Sequence, residues 1–190
     1  MKIKKIVDMC RRDGMVRILK DKNGIQWLSN GYACYPLYNV PELSEDNFYT
    51  IFDFNEKQRN ETVFSCYAFT DSFDTADTTP TEEPCEKLSP CIPYGSLLLV
   101  PFSTASGIKF LDDKYLAPLA GESGGVEVYE RTNSRGEPYF AVKVGMSLRA
   151  IITPFNAVNK SFVDNIGEIY ALCKKALIFK DSEQIGMFDN

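Results

Sequence analysis

The 190-residue chain contains no histidine. That absence removes the Ser-His-Asp kind of triad, imidazole acid–base chemistry and every zinc site that needs a His ligand. The six cysteines are Cys10, Cys34, Cys66, Cys85, Cys91 and Cys173; none forms a C-x-x-C pair, and most sit in apolar stretches such as "YACYPL" and "YALCKKAL". They read as buried reduced thiols, so no metal site and no cofactor is expected. Apolar runs long enough to span a bilayer are missing, and "MKIKKIVDMCRRDG" lacks the uninterrupted apolar segment of a signal peptide. A cytoplasmic protein without membrane contact is therefore expected. Net positive charge is lacking too. With 26 acidic and 21 basic residues the balance is −5, so any contact with nucleic acid needs a local basic face.

What is present is the composition of an ordinary globule, in which 44% hydrophobic and 25% charged residues exclude a disordered or fibrous chain. The length suits one domain with appendages. Ile3, Ile6, Val7 and Cys10 recur at helical spacing and Gly14 supplies a stop, which predicts a first helix. Asn23-Gly24 in "MVRILKDKNGIQWLSN" predicts a hairpin, because both residues tolerate positive φ; Trp27 falls on its second strand as a core residue. "YACYPL" reads as a third strand. "NFYTIFDF" and "TVFSCYAF" carry aromatic and β-branched residues suited to strands. Residues 70–90, rich in Thr, Asp, Glu and Pro, predict a long exposed acidic loop. "YGSLLLVPF" and "GIKFL" resume strands.

The second half repeats this order. "LDDKYLAPLA" predicts a short helix capped by Asp112 or Asp113, and "GVEVYER", "PYFAVKV" and "MSLRAIIT" predict three strands. Gly31 and Gly145 fall at the same junction of the two units, which suggests an internal duplication. A last helix follows over 155–180, with Phe162, Ile166, Ile169, Tyr170, Cys173 and Leu177 as its apolar stripe and Asn159 or Ser161 as its cap. The expected fold class is α+β: a mainly antiparallel sheet with duplicated helix-plus-three-strand units over 1–154, a C-terminal helix over 155–180, and a flexible tail over 181–190.

A duplicated unit of this kind resembles one domain of the bacterial sliding clamp family, the rings that tether DNA polymerase to its template. Residues 107–155 carry the likeness through Phe110, Tyr115-Leu116, Leu119, Val126 to Val128 and Ile151-Ile152-Thr153-Pro154. A bacterial clamp protomer strings three such domains together, whereas this chain has room for one, so a ring would need several copies. The resemblance implies that positive helix faces meet duplex DNA. Lys2, Lys4, Lys5, Arg11 and Arg12 are the candidates, for contacts that are sequence-blind and salt-sensitive. Peptides that dock on bacterial clamps look like Gln, an aliphatic-or-small pair, Met or Leu, then Phe; Gln184, Ile185, Met187 and Phe188 resemble them in the tail. The alternative for those tail residues is packing against the last helix, and for the cations a solvated face.

Enzyme chemistry finds little support. Asp112-Asp113 and Glu82-Glu83 are sequence neighbours that read as capping and loop solvation, and "GESGG" lacks the Lys-Ser/Thr of a phosphate loop. Cys34 lacks a basic histidine partner. The resemblance therefore implies a non-catalytic DNA-replication accessory acting through self-assembly or through a clamp, with non-specific duplex DNA, a clamp and further copies of itself as expected partners. The competing expectation is a compact protein-binding module of a phage or mobile element, without DNA affinity.

Overall fold

The computed structural model describes residues 1–69, 72–80, 82–156 and 159–186, the stretch 178–186 as backbone alone. Two compact units emerge, residues 1–155 and 156–190. Within the first, helix α1 (Ile3–Asp13) forms where the apolar stripe predicts it, burying Ile6, Val7, Met9 and Cys10. Burying an aliphatic side chain fully is worth about 1.5–3 kcal/mol, so this face holds the helix down. Gly14 ends it at φ 65°, its N–H donating to the Cys10 carbonyl, a left-handed cap that suits glycine.

Strands β1 (Met15–Lys20), β2 (Gln26–Ser29) and β3 (Ala33–Leu37) follow as an antiparallel meander, with Ile18 opposite Leu28 and Leu28 opposite Tyr35. The first turn closes as expected at Gly24 (φ 78°), but its organiser is Asp21. One carboxylate oxygen accepts the N–H groups of Asn23 and Ile25, and the other accepts the Trp27 indole N–H. Gly31 holds φ 95°, and a Cβ there would lie 2.8 Å from the Met15 sulfur. The residue is fixed by space as well as by torsion.

The predicted strand "NFYTIFDF" is instead helix α2 (Glu45–Ile51), and an unpredicted helix α3 (Glu56–Glu61) follows. Both begin with reciprocal capping boxes, Ser44 with Asn47 and Asn55 with Gln58. The aromatic residues that suggested a strand form a cluster: the Phe48 ring lies 4.8 to 6.1 Å from those of Tyr49, Phe52, Phe54 and Phe64. Strand β4 (Val63–Ala68) then pairs parallel to β1, from Met15 beside Val63 to Lys20 beside Ala68.

Four shorter-range strands build a second sheet. The long strand β7 (Leu97–Thr104) is bordered by β8 (Gly107–Asp112) on one side and by β5 (Glu86–Lys87) and β6 (Ile92–Tyr94) on the other. The predicted helix at 111–120 is two 3-10 turns, Asp113–Tyr115 and Ala117–Leu119; Asp112 caps the first, and Pro118 in the second removes an N–H that an α-helix would use. Strands β9 (Val126–Thr132), β10 (Pro138–Val144) and β11 (Ser147–Ile152) complete the large sheet.

The order of that sheet is β4-β1-β2-β3-β11-β10-β9. Two three-strand meanders thus meet at β3 and β11, where Cys34 lies opposite Ile151. The class is α+β with a mainly antiparallel sheet, as expected. One sheet face, through Val16, Ile18, Tyr35, Phe140 and Val142, shares a buried cluster with α1, α2 and the small sheet. The other face carries Trp27, Cys34, Tyr139, Ala141 and Ile151, against which Phe69 and Phe73 pack.

That second face changes the picture of the acidic segment 70–90. Much of it is exposed, yet it is pinned to the sheet: Asp77 accepts the Leu148 N–H at 2.7 Å, and Glu82 accepts from Lys143 and Arg131. In the second unit, helix α4 runs over Lys160–Gly186, with the Asn159 side chain accepting the Phe162 N–H. Gln184 and Ile185 therefore lie on helical backbone, while Met187 and Phe188 lie outside the described residues.

Candidate functional site

The amphipathic geometry of α1 turns Lys4, Lys5 and Arg12 to solvent together with Asp8. Among the described residues Lys4 and Lys5 have no ion-pair partner, and Arg12 pairs with its neighbour Asp13, at 3.3 Å. Lys2 is exposed one step before the helix, its backbone N–H donating to the Pro118 carbonyl at 2.8 Å. The fifth predicted cation is differently employed. Arg11 donates to Asp8 and to the Phe52 carbonyl, and its guanidinium lies 4.5 Å from the Phe54 ring centroid. It ties α1 to the residues after α2 and does not stand free with the solvent-facing cations.

The ground beyond α1 is not basic. At its C-terminal end Asp13 accepts from the Asn30 amide at 2.6 Å. Lys114 is bound to Asp112 at 3.0 Å; burial pulls its amine down, but the bond to Asp112 and the surrounding negative charges hold it above the usual lysine range. At the other end Glu122 takes the Met1 ammonium at 2.5 Å, with the Arg149 guanidinium 3.7 Å away. The cationic face is therefore confined to Lys2, Lys4, Lys5 and Arg12.

The opposite sheet face holds a second site, one not predicted above. Arg131 on β9 and Lys143 on β10 are both buried and both donate to Glu82. Arg131 also donates to the carbonyls of Asp74 and Ala76, at 3.0 and 2.8 Å, so that the acidic segment wraps its guanidinium. Burial pushes the Glu82 carboxyl up, yet its bonds from Lys143, the Thr79 N–H and Arg131 outweigh this and hold it below the usual range. Between this segment and the β1–β2 turn lies an open cleft of about 830 Å³ lined by Asp21, Lys22, Asn23, Phe69, Phe73 and Asp74. The available signal was Lys143, the one charged residue in the otherwise apolar strand β10.

Cys34 borders a smaller pocket of about 270 Å³ with Arg17, Tyr32 and Tyr67. Burial pushes its thiol up to about 12, so the sulfur stays protonated and is a poor nucleophile at neutral pH. Cys10 is raised likewise, whereas Cys66 and Cys173 are exposed, contrary to the expectation that the thiols are buried. No helix among the described residues is long and apolar enough to cross a membrane. No family model, no curated protein and no solved structure matches this chain.

Proposed function

We propose that this chain is a non-catalytic accessory of DNA replication, built like one domain of a sliding clamp and acting as an assembly of copies. The observation that carries the proposal is the exposed cationic face of α1. Lys4, Lys5 and Arg12 stand on one side of a helix whose other side is locked into the core. The six-strand arrangement in which two meanders meet at β3 and β11, with α1 beside the 3-10 turns on one face, supports the same reading. Duplex DNA would meet this face through its phosphates alone, with no base readout. The tail residues Gln184, Ile185, Met187 and Phe188 remain a sequence-level candidate for docking on a bacterial clamp.

Retention of duplex DNA at low salt tests the proposal. Three phosphate contacts per chain predict that log affinity falls with log salt with a slope of roughly −3 per protomer. Changing Lys4→Glu, Lys5→Glu and Arg12→Glu together abolishes retention without lowering the unfolding midpoint. If the unaltered chain shows no affinity for duplex at low salt, the DNA reading fails and a protein-binding module is left.

A further inference from the structure

The pocket beside Cys34 lies on the sheet face turned away from α1 and is rich in rings. Tyr32 and Tyr67 line it while 60% and 61% exposed, so their faces are not spent on the core. Phe69 and Phe73 form a wall that is braced from behind. The Phe69 ring lies 5.1 Å from that of Trp27, and the Phe73 ring lies 6.2 Å from Phe69 and 5.0 Å from Tyr139. Rings already held in place lose little freedom when a ligand arrives.

Strand register supplies the polar side. Arg17 on β1 lies opposite Ser29 on β2, and Ser29 lies opposite Cys34 on β3. Directly opposed residues share a sheet face, about 4.5–5.5 Å apart, so a guanidinium and a hydroxyl stand on neighbouring strands of one face. Among the described residues Arg17 makes no hydrogen bond and no ion pair. Arg131 and Lys143, on the same sheet face, both meet Glu82. Ser29 is 5% exposed; its Oγ accepts the Gly31 N–H at 3.0 Å, and its own O–H has no acceptor among the described residues. The chain carries an excess of acid, yet among the described residues no carboxylate lines this pocket.

Those features select the occupant. Exposed and braced rings stack on flat π-systems. An unpaired guanidinium near a hydroxyl donor suits an anion with several oxygens. The volume of about 270 Å³ is at the small end for ligand pockets, with room for one ring system and not for a run of bases. We propose that this pocket binds a single nucleotide, its base against Tyr32, Tyr67 and the Phe69 wall and its phosphate on Arg17 and Ser29. A free nucleoside monophosphate and the 5′-phosphorylated end of a single strand share that chemistry. The site goes beyond the duplex reading given above and makes no use of the cations of α1.

Calorimetric titration of the full chain with adenosine 5′-monophosphate, adenosine and ribose 5-phosphate tests it. The monophosphate binds, adenosine binds roughly tenfold or more weakly for want of the charge-assisted contact, and ribose 5-phosphate does not bind. Arg17→Gln removes the difference between monophosphate and adenosine, whereas Arg17→Lys keeps part of it. Tyr67→Ala weakens both ligands by roughly 5- to 150-fold, the worth of one base stacked on a ring. Tyr67 is exposed, so that variant keeps the unfolding midpoint of the unaltered chain. A 5′-phosphorylated single-stranded oligonucleotide separates the two sources. Tighter binding than the monophosphate assigns the pocket to a strand end, and equal or weaker binding assigns it to a free nucleotide.

No binding of the monophosphate at millimolar concentration overturns the proposal. Binding that Arg17→Gln and Tyr67→Ala both leave unchanged overturns it as well. Ribose 5-phosphate binding as tightly as the monophosphate shows a bare anion contact, which also sinks it. Lys4→Glu, Lys5→Glu and Arg12→Glu together leave nucleotide binding where it was, so failure of this pocket and failure of duplex retention are told apart.

Discussion

At the scale of single residues, Glu82 does the most with the least. One carboxylate meets two buried cations, Arg131 and Lys143, and so holds the acidic segment against the sheet. Taking it away leaves charges that burial has already stripped of water. Glu82→Gln is expected to lower stability by about 1.5–3 kcal/mol at neutral pH, the range for hydrogen bonds to charged groups. The carboxyl is held below its ordinary value of 4.5 in the folded chain, so its contribution is full above that value and fades as pH falls through the lower folded value. The gap between Glu82→Gln and the unaltered chain should therefore close in acid. Urea titrations followed by the emission of Trp27, the sole tryptophan, whose ring lies tilted 5.1 Å from that of Phe69, measure both. Glu82 was read from the sequence as loop solvation, because nothing local reveals that strands β9 and β10 will offer two cations to it.

At the scale of elements, α2 shows how propensity and caps compete. "NFYTIFDF" has the residues of a strand, but Ser44 and Asn47 cap each other, and the aromatic rings find their partners on one side of a short helix. The two influences differ in size. Ser44→Ala should cost about 1 kcal/mol, the usual value of a lost N-cap, while Phe48→Ala should cost about 3–5 kcal/mol by opening a cavity in the cluster. Equal costs in a denaturant series would mean that the cap, not the packing, makes this element. Elsewhere local signals were enough. The stripe and Gly14 mark α1, and Asn23-Gly24 marks the first turn. Where they failed, a proline or a distant partner decided: Pro118 breaks the second helix into 3-10 turns, and β4 joins the sheet parallel to a strand more than forty residues earlier.

At the scale of the molecule, the buried clusters lie within residues 1–155. A chain ending at Phe155 should keep the thermal unfolding midpoint of the full chain's body, and calorimetry checks this. The overall charge of −5 makes the cationic face of α1 a local exception, which is why ionic strength is the sharpest probe of it.

The sequence by itself determined what depends on neighbours along the chain: the stripe and stop of α1, the hairpin turn, the alternation of the strands, the last helix and its apolar side. Those follow from periodicity and backbone torsion, which a few consecutive residues settle. Only the tertiary structure decided that Arg11 is bound to Phe52 and Phe54, that the acidic segment is fastened by Glu82, and that the two meanders join at β3 and β11. Each is a contact between residues far apart in sequence, formed because burial brings a charge or a strand edge to a partner that the local chain cannot supply.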